Sequence, residues 1–510
     1  MRLLSLPKGD VKLVAAGAVL TVLAYPPFHL LIPSFTCLIP AIYLIQRASA
    51  DETPLRRGLA QGFWFGVASS ALVLYWMVVA LWRFTPLSIL GFSATIVALG
   101  VYTAILFALV GWIERKTRIS VVASFPLLWT TLEWVVGNGG DVAFPWLGLG
   151  TSLTGYPVFI QVADVVGARG ITYLLALANA ALAVAWLRHG RGRRRWGMLS
   201  GVGAGIVAAL IYGVVRTRSL ETRVVGEVAL LQPNIGFREK WEVGAQDSLV
   251  ALLVDMSAQA SSSDRPDLVI WPEAAVPNYF STHPRWEHAI SSQAAGRQVP
   301  ILVGGVDLNV YGDGSYDYYN AAFLFDSTGN KDAQPPYHKR YLVPIVERVP
   351  FLNPDLFNLR WFGGFGSGGP GPVYEVGLGS FGVMICYEST FEDVARDYRQ
   401  RGAEFLVNIT NDAWFGKMSA PYQHAAHLVM RAIENRVGIA RAANSGISGF
   451  VDPLGRTYQL TELDTSLIVT GELITSDAST IYTKTGDLAG LIAVAGTLAL
   501  CGYARLKKTI

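Results

Sequence analysis

The first 216 positions are dominated by apolar runs near twenty residues long, and no other feature of the chain limits its fold as severely. Crossing the hydrocarbon core of a bilayer takes about 20 mainly apolar residues in a helix, which satisfies its own backbone polar groups there. Seven such stretches are read at 11–30, 31–47, 58–82, 87–113, 119–137, 170–187 and 197–216, with an eighth at 487–504. Only 15% of the 510 residues are charged, against roughly one-quarter in ordinary soluble domains. The exception is the region from Glu221 to Asp487, whose composition is that of a soluble protein.

Basic residues orient the spans, because Lys and Arg in short loops are retained on the cytoplasmic side. Arg2, Lys8 and Lys12 precede the first span; Arg47, Arg56 and Arg57 follow the second; Arg115, Lys116 and Arg118 follow the fourth; Arg188, Arg191, Arg193, Arg194 and Arg195 follow the sixth. The intervening loops, Tyr25–Phe28, Arg83–Pro86 and Asn138–Arg169, are poor in cations. An even number of spans puts both termini in the cytoplasm, in agreement with Lys507 and Lys508, and the polar region then faces outward. The first span lacks a small-residue cleavage site and reads as a retained anchor. The expected division is a transmembrane domain over 1–216, a catalytic domain over 217–486, and a last helix with a short tail over 487–510.

A net charge of +3, spread in short clusters, gives no footprint for nucleic acid. Of three cysteines, Cys37 and Cys501 lie in apolar segments, so Cys386 has no disulfide partner in the polar region. That region alternates β-branched runs with amphipathic segments, as mixed α/β domains do. Strands are expected at Val228–Gln232, Leu268–Trp271, Ile301–Val306, Ala321–Phe325, Gly382–Ile385, Phe405–Ile409, Ile447–Val451 and Leu467–Thr470, and a helix over Pro421–Val437.

Three residues in this region have the chemistry of acyl transfer. Cys386 ends an apolar strand just before a helix-like segment near Phe391, where a helix N-terminus or a lysine favours the thiolate. A cysteine in a strand is more often a small buried hydrophobe, so the position alone decides nothing. Glu273 ends a second apolar strand behind Trp271 and Pro272, in surroundings that suit a carboxylate to proton transfer. Lys339 sits in a polar stretch before an apolar turn; most such lysines are solvated, but beside a thiolate one would stabilise an oxyanion. His424 and His427, three apart on a helix, lack further ligands at suggestive spacing and read as helix-surface histidines; no metal is expected.

The chain order Glu273, Lys339, Cys386 resembles the Glu-Lys-Cys triad of the carbon-nitrogen hydrolase (nitrilase) superfamily. The apolar spans around such a domain are similar to one branch of it, the apolipoprotein N-acyltransferases of bacterial inner membranes. Phe144-Pro-Trp-Leu147, Gln232-Pro-Asn-Ile235 with Trp241, Asn411-Asp-Ala-Trp-Phe-Gly416 and Arg441-Ala-Ala-Asn-Ser-Gly-Ile447 carry the likeness further.

The resemblance implies a fold of eight transmembrane helices plus a nitrilase-like α-β-β-α sandwich. It implies Glu273 as general base, Lys339 as electrostatic stabiliser, Cys386 as nucleophile and Glu347 as supporting carboxylate. Trp241, Tyr387, Glu388, Trp414 and Trp146 match further site or substrate-binding residues, whereas Ile345-Val346 departs from the family's aromatic and glycine. A phospholipid acyl chain would pass through a cysteine thioester to the α-amino group of a diacylglyceryl-cysteine on an apolipoprotein, with no cofactor, in a monomer. Aromatic loops at Tyr279-Phe280 and Trp361–Phe365 are expected to cover the site. The rivals are a tethered amidase hydrolysing a small amide with the same triad, and a transporter, against which no span shows a charge pair and Glu133 is the main ionisable residue within one.

Overall fold

In the computed structural model, residues 4–82, 88–187, 193–236, 239–241, 244–263, 265–344, 346–348 and 364–507 are described. The chain divides into two units, one formed by Met1–Ser219 with Thr485–Ile510 and the other by Leu220–Lys484.

Among the described residues of the first unit, five helical segments are long and apolar enough to cross a membrane: Leu31–Ser49, which is interrupted between Thr36 and Ile39, and Ile89–Thr117, Ala163–Trp186, Trp196–Ser219 and Leu488–Leu506. Lys8–Ala24 and Val121–Gly137 are apolar but only 17 residues each, about 26 Å of helix against a core of about 30 Å. Pro54–Val73 is 20 residues long but carries Arg56, Arg57 and Gln61 in its first turns.

The segment containing Pro33 folds as two helices, Leu31–Thr36 and Ile39–Ser49. At the break, Asn179 satisfies backbone groups the interruption leaves open: its Oδ1 accepts from Leu38 N–H at 2.9 Å and its Nδ2 donates to Ser34 O at 3.2 Å. Within Ala163–Leu187, Gly167 takes φ 66° and ψ −179°, which breaks the helix three residues before the expected span.

Cation-rich and cation-poor loops segregate. Arg47 and Arg57 converge on buried Asp10 at 3.1 and 2.9 Å, and Lys507 Nζ donates to Thr117 O at 3.1 Å. Among the cation-poor loops, Tyr25 Oη donates to Leu147 O at 2.8 Å, His29 meets Thr154 at 3.0 Å, and Arg169 pairs with Asp487, which caps the last helix. An ion pair joins Asp164, ahead of the span read at 170–187, to Arg216, the last residue of the span read at 197–216, at 3.0 Å. Both lie within the first or last turn of their helices, where a polar end costs least.

The second unit contains two six-stranded sheets. Strands β1 (Arg223–Gln232), β2 (Leu268–Ile270), β3 (Ile301–Val310), β4 (Tyr316–Phe325) and β5 (Tyr337–His338) belong to the first. The second comprises β6 (Tyr374–Val376), β7 (Gly379–Ile385), β8 (Phe405–Thr410), β9 (Gly438–Ala443), β10 (Gly449–Val451) and β11 (Thr457–Tyr458); β12 (Leu467–Thr475) returns to pair with β1. Each sheet has a parallel centre, β1-β2-β3 and β7-β8-β9, with antiparallel strands outside it.

Parallel strands covered on both faces read as continuous apolar runs, and β1 shows why. Val228 and Leu230 point into the core between the sheets, opposite Val383, Ile385, Val407 and Ile409. Ala229 and Leu231 point the other way, into a core with the helices Gln246–Ser263 and Pro284–Arg297. Glu392–Gln400 and Ala420–Asn435 pack on the second sheet. All eight expected strands lie on observed ones; β5, β6, β9 and β11 are additional. β9, Gly-Ile-Ala-Arg-Ala-Ala, is made of small residues around a buried arginine and has little β-branched signal.

Candidate active site

Functional side chains gather where strands of both sheets end. Glu273 follows β2, Lys339 follows β5, Cys386 follows β7 and Asn411 follows β8. Beyond β2 the chain turns at Pro272 and passes through Ala274 at φ 48°. Gly304 on β3 lets this turn in, since a Cβ there would lie 2.3 Å from Pro272 O and 2.8 Å from Glu273 Cα. Cys386 itself has φ 52°, a strained left-handed conformation for a residue other than glycine. The strand thus turns sharply into the short 3-10 segment Cys386–Thr390 before the helix Glu392–Gln400 begins.

Lys339 is fully buried between two carboxylates, its Nζ 3.3 Å from Glu273 Oε1 and 2.9 Å from Glu347 Oε1. Asn320, on β4, donates from one amide nitrogen to both: 2.7 Å to Glu273 Oε1 and 2.9 Å to Glu347 Oε1. Glu273 Oε2 accepts from the backbone N–H of Asn411 at 2.8 Å, and its backbone carbonyl accepts from Lys240 Nζ at 3.1 Å. Glu347 Oε2 accepts from Val343 N–H at 2.7 Å, so the second carboxylate reaches Lys339 despite the Ile345-Val346 departure. Ile345 lies outside the described residues.

The electrostatics of the group follow from burial and charge. Burial works against the Lys339 ammonium, but Glu347 and then Glu273 outweigh it and hold its pKa well above the ordinary value. Burial also pushes the Cys386 thiol up; Glu273 adds to that, while Lys339 and a hydrogen bond with Thr410 oppose it. A lysine alone would favour the thiolate, but here desolvation and the charges of Glu273 and Asp412 prevail, so the resting nucleophile is a thiol. Burial lowers Lys240 to about 8 against the charge of Glu273.

Glu388 is fully buried and ties the lysine loop to the cysteine turn. Its Oε1 accepts from Tyr337 Oη and Arg340 N–H, both at 2.6 Å, and from Tyr341 N–H at 3.2 Å; its Oε2 accepts from Ile385 N–H at 2.7 Å. Burial raises its pKa to about 7 in spite of these donors. Tyr387 is buried edge-on against Phe391, with ring centroids 5.2 Å apart. Trp414 is partly buried on the 3-10 turn Asp412–Trp414.

Trp146 belongs to the helical unit, where it packs on Trp76 and Phe144 at 5.0 and 6.2 Å between ring centroids. The side chain of Trp241 lies outside the described residues.

Phe280, expected in an aromatic loop covering the site, is a core residue packed on Phe323 and Phe325, which supply the apolar surface that holds it from β4. Phe365 packs on Tyr318 at 4.7 Å, and Trp361 and Phe362 lie outside the described residues. His424 and His427 are also corrected, being buried rather than on a helix surface, because the helix that carries them is covered along nearly its whole length. No cluster of three or more metal-ligating residues occurs among the described residues. Asn320 and Lys240 carry no sequence signal of their own as site residues; Asn411 falls in a motif the sequence singles out, and His424 only in a histidine pair weighed as metal ligands.

The carbon-nitrogen hydrolase family model matches residues 227–480, and this geometry makes the second unit a nitrilase-like α/β domain. Residues 17–181 match the apolipoprotein N-acyltransferase N-terminal domain. The chain is 32% identical to the apolipoprotein N-acyltransferase of Geobacter metallireducens, over 99% of this chain and 97% of that one. It is 30% identical to that of Methylococcus capsulatus over 97% and 96%, and 27% identical to that of Chlorobaculum tepidum over 92% and 94%. It therefore belongs to the apolipoprotein N-acyltransferase family.

Proposed function

We propose that this protein is an N-acyltransferase of a bacterial inner membrane, moving a fatty acyl chain from a phospholipid to the α-amino group of a diacylglyceryl-cysteine on an apolipoprotein. The observation that carries the reading is the buried pair of Glu273 and Lys339 at the strand ends beside Cys386, in a chain rich in apolar helices long enough for a bilayer. A lipid donor explains why the nucleophile shares a chain with those helices.

Glu273 accepts the Cys386 proton as sulfur attacks the ester carbonyl, and the resulting oxyanion is stabilised by the Lys339 ammonium. The carbon–oxygen bond then breaks, Glu273 returns the proton to the departing lysophospholipid oxygen, and a thioester remains. In the second half the lipoprotein amine attacks the thioester and gives its proton to Glu273; the carbon–sulfur bond breaks, and the sulfur recovers the proton. One site used in turn by two substrates gives ping-pong kinetics. Glu347, Tyr387, Glu388, Trp241, Trp414 and Trp146 support this machinery or its substrates.

Eight spans complete the proposed topology, with both termini cytoplasmic, 217–486 on the periplasmic side and the protein working as a monomer. The convergence of Arg47 and Arg57 on Asp10, and of Lys507 on the end of Ile89–Thr117, supports it. The test is to incubate the purified full chain with phospholipid and a diacylated lipopeptide and weigh the products. N-acylated lipopeptide is expected; release of free fatty acid alone would make the protein a hydrolase.

A further inference from the structure

The peptide that follows the nucleophile is held by a buried ion-pair cluster. The Cys386 carbonyl oxygen accepts from Ser389 Oγ at 3.0 Å and lies 2.9 Å from His424 Nε2. A carbonyl only accepts, so Nε2 carries the hydrogen. The other ring nitrogen, Nδ1, lies 3.1 Å from Asp412 Oδ1 and 3.2 Å from Arg441 Nη2. Arg441 Nη2 also donates to Asp412 Oδ2 at 2.8 Å, and Thr410 Oγ1 donates to Asp412 Oδ1 at 3.0 Å. His424, Asp412 and Arg441 are all buried and come from three separate elements: the helix Ala420–Asn435, the 3-10 turn after β8, and β9. Such a cluster fixes the imidazole's tautomer and direction.

A trans peptide is planar, so its carbonyl and the next N–H point in opposite directions. Two donors on the Cys386 carbonyl therefore set the direction of the Tyr387 N–H. The left-handed φ of 52° at Cys386 gives this clamp its importance, because an unsupported residue would relax from that conformation.

We infer that His424, oriented by Asp412 and Arg441, is a positioning residue that clamps the Cys386–Tyr387 peptide so that the Tyr387 N–H faces the oxyanion formed on Cys386, opposite the contribution of Lys339. The inference deepens the acyl-transfer reading above and rests on Cys386 being the nucleophile. His424 touches no reacting atom; it acts through the peptide.

The test separates aiming of the N–H from placement of the sulfur, using the full chain in detergent micelles. Acylation is followed as the burst with a p-nitrophenyl ester, and Cys386 alkylation by iodoacetamide as peptide mass. Alkylation forms no oxyanion. His424→Leu is expected to slow the burst about tenfold to a hundredfold, within the range for losing an oxyanion donor, with alkylation changed less than about threefold. His424→Gln, whose Nε2–H reaches the same carbonyl, should recover most of the burst rate. Ser389→Ala removes the second donor without touching the cluster and should slow the burst in the same sense, which decides the matter if His424→Leu does not fold. A wild-type burst in either donor-loss variant overturns the inference, as does a parallel fall in alkylation or a glutamine variant no better than leucine. The ester burst requires no lipid substrate, so failure of the phospholipid-to-lipopeptide assay would count against the proposed function alone.

Discussion

The Lys339 ammonium lies closer to Glu347, at 2.9 Å, than to Glu273, at 3.3 Å. Two carboxylates around one ammonium leave a net negative site, in which Glu347 takes the shorter ion pair and Glu273 is left available for the proton of Cys386. Glu347→Gln should draw Lys339 onto Glu273 and occupy the base, lowering single-turnover acylation of Cys386 by about tenfold or more. Mass spectrometry of the acyl-enzyme at timed intervals checks this; an unchanged rate would leave Glu347 with no part in the reaction.

Asn320 supplies one hydrogen to each carboxylate, at 2.7 and 2.9 Å. Asn320→Leu removes both and leaves two buried acceptors short of a donor, which should destabilise the unit by about 1–3 kcal/mol and reduce acylation. Asn320→Asp should reduce acylation further, since it adds a third negative charge. Thermal unfolding and the acyl-enzyme assay on the full chain measure the two effects separately.

Glu388 predicts a pH dependence of stability. Its folded-state pKa of about 7 lies above the ordinary 4.5, so between these values the folded state binds the proton and the unfolded state does not. Its contribution is full below about 4.5, falls as pH rises, and is exhausted above about 7. Wild-type protein should therefore lose more melting temperature between pH 5 and 7.5 than Glu388→Gln. The variant should be less stable at both pH values, because the side-chain amide confronts a backbone N–H that a carboxylate oxygen accepts. Equal slopes for the two proteins would contradict the assignment.

Cys386 is held as a thiol by burial and by Glu273. Its alkylation rate in the resting protein should keep rising through pH 9 without levelling off, because the thiolate is the reactive form. A plateau below pH 8 would mean that Lys339 dominates instead.

Much of the architecture is legible before any fold is known. Helices of the membrane unit declare themselves because a bilayer demands long apolar runs, and β1, β2, β3, β7 and β8 do so because burial on both faces demands short ones. The break at Cys37–Leu38 and the kink at Gly167 are less legible, since they depend on what a neighbouring helix offers: Asn179 satisfies the first.

Within the site, the sequence determines that Glu273 and Cys386 sit at strand mouths, because Pro272 and the polar residues after Ile385 end the apolar runs. It also supplies the chain order Glu273, Lys339, Cys386 on which the family resemblance rests. Tertiary structure decides the partners. Asn320 reaches two carboxylates because β4 lies between β3 and β5, and His424 meets Cys386 because a helix 38 residues away in sequence packs over the turn. The same structure decides protonation: a lysine near a cysteine suggests a thiolate, but desolvation with the charges of Glu273 and Asp412 makes it a thiol. Local sequence specifies which backbone conformations and faces are favourable, whereas hydrogen-bond partners and pKa values depend on groups brought within a few ångströms by sheet order, which no short stretch of sequence contains.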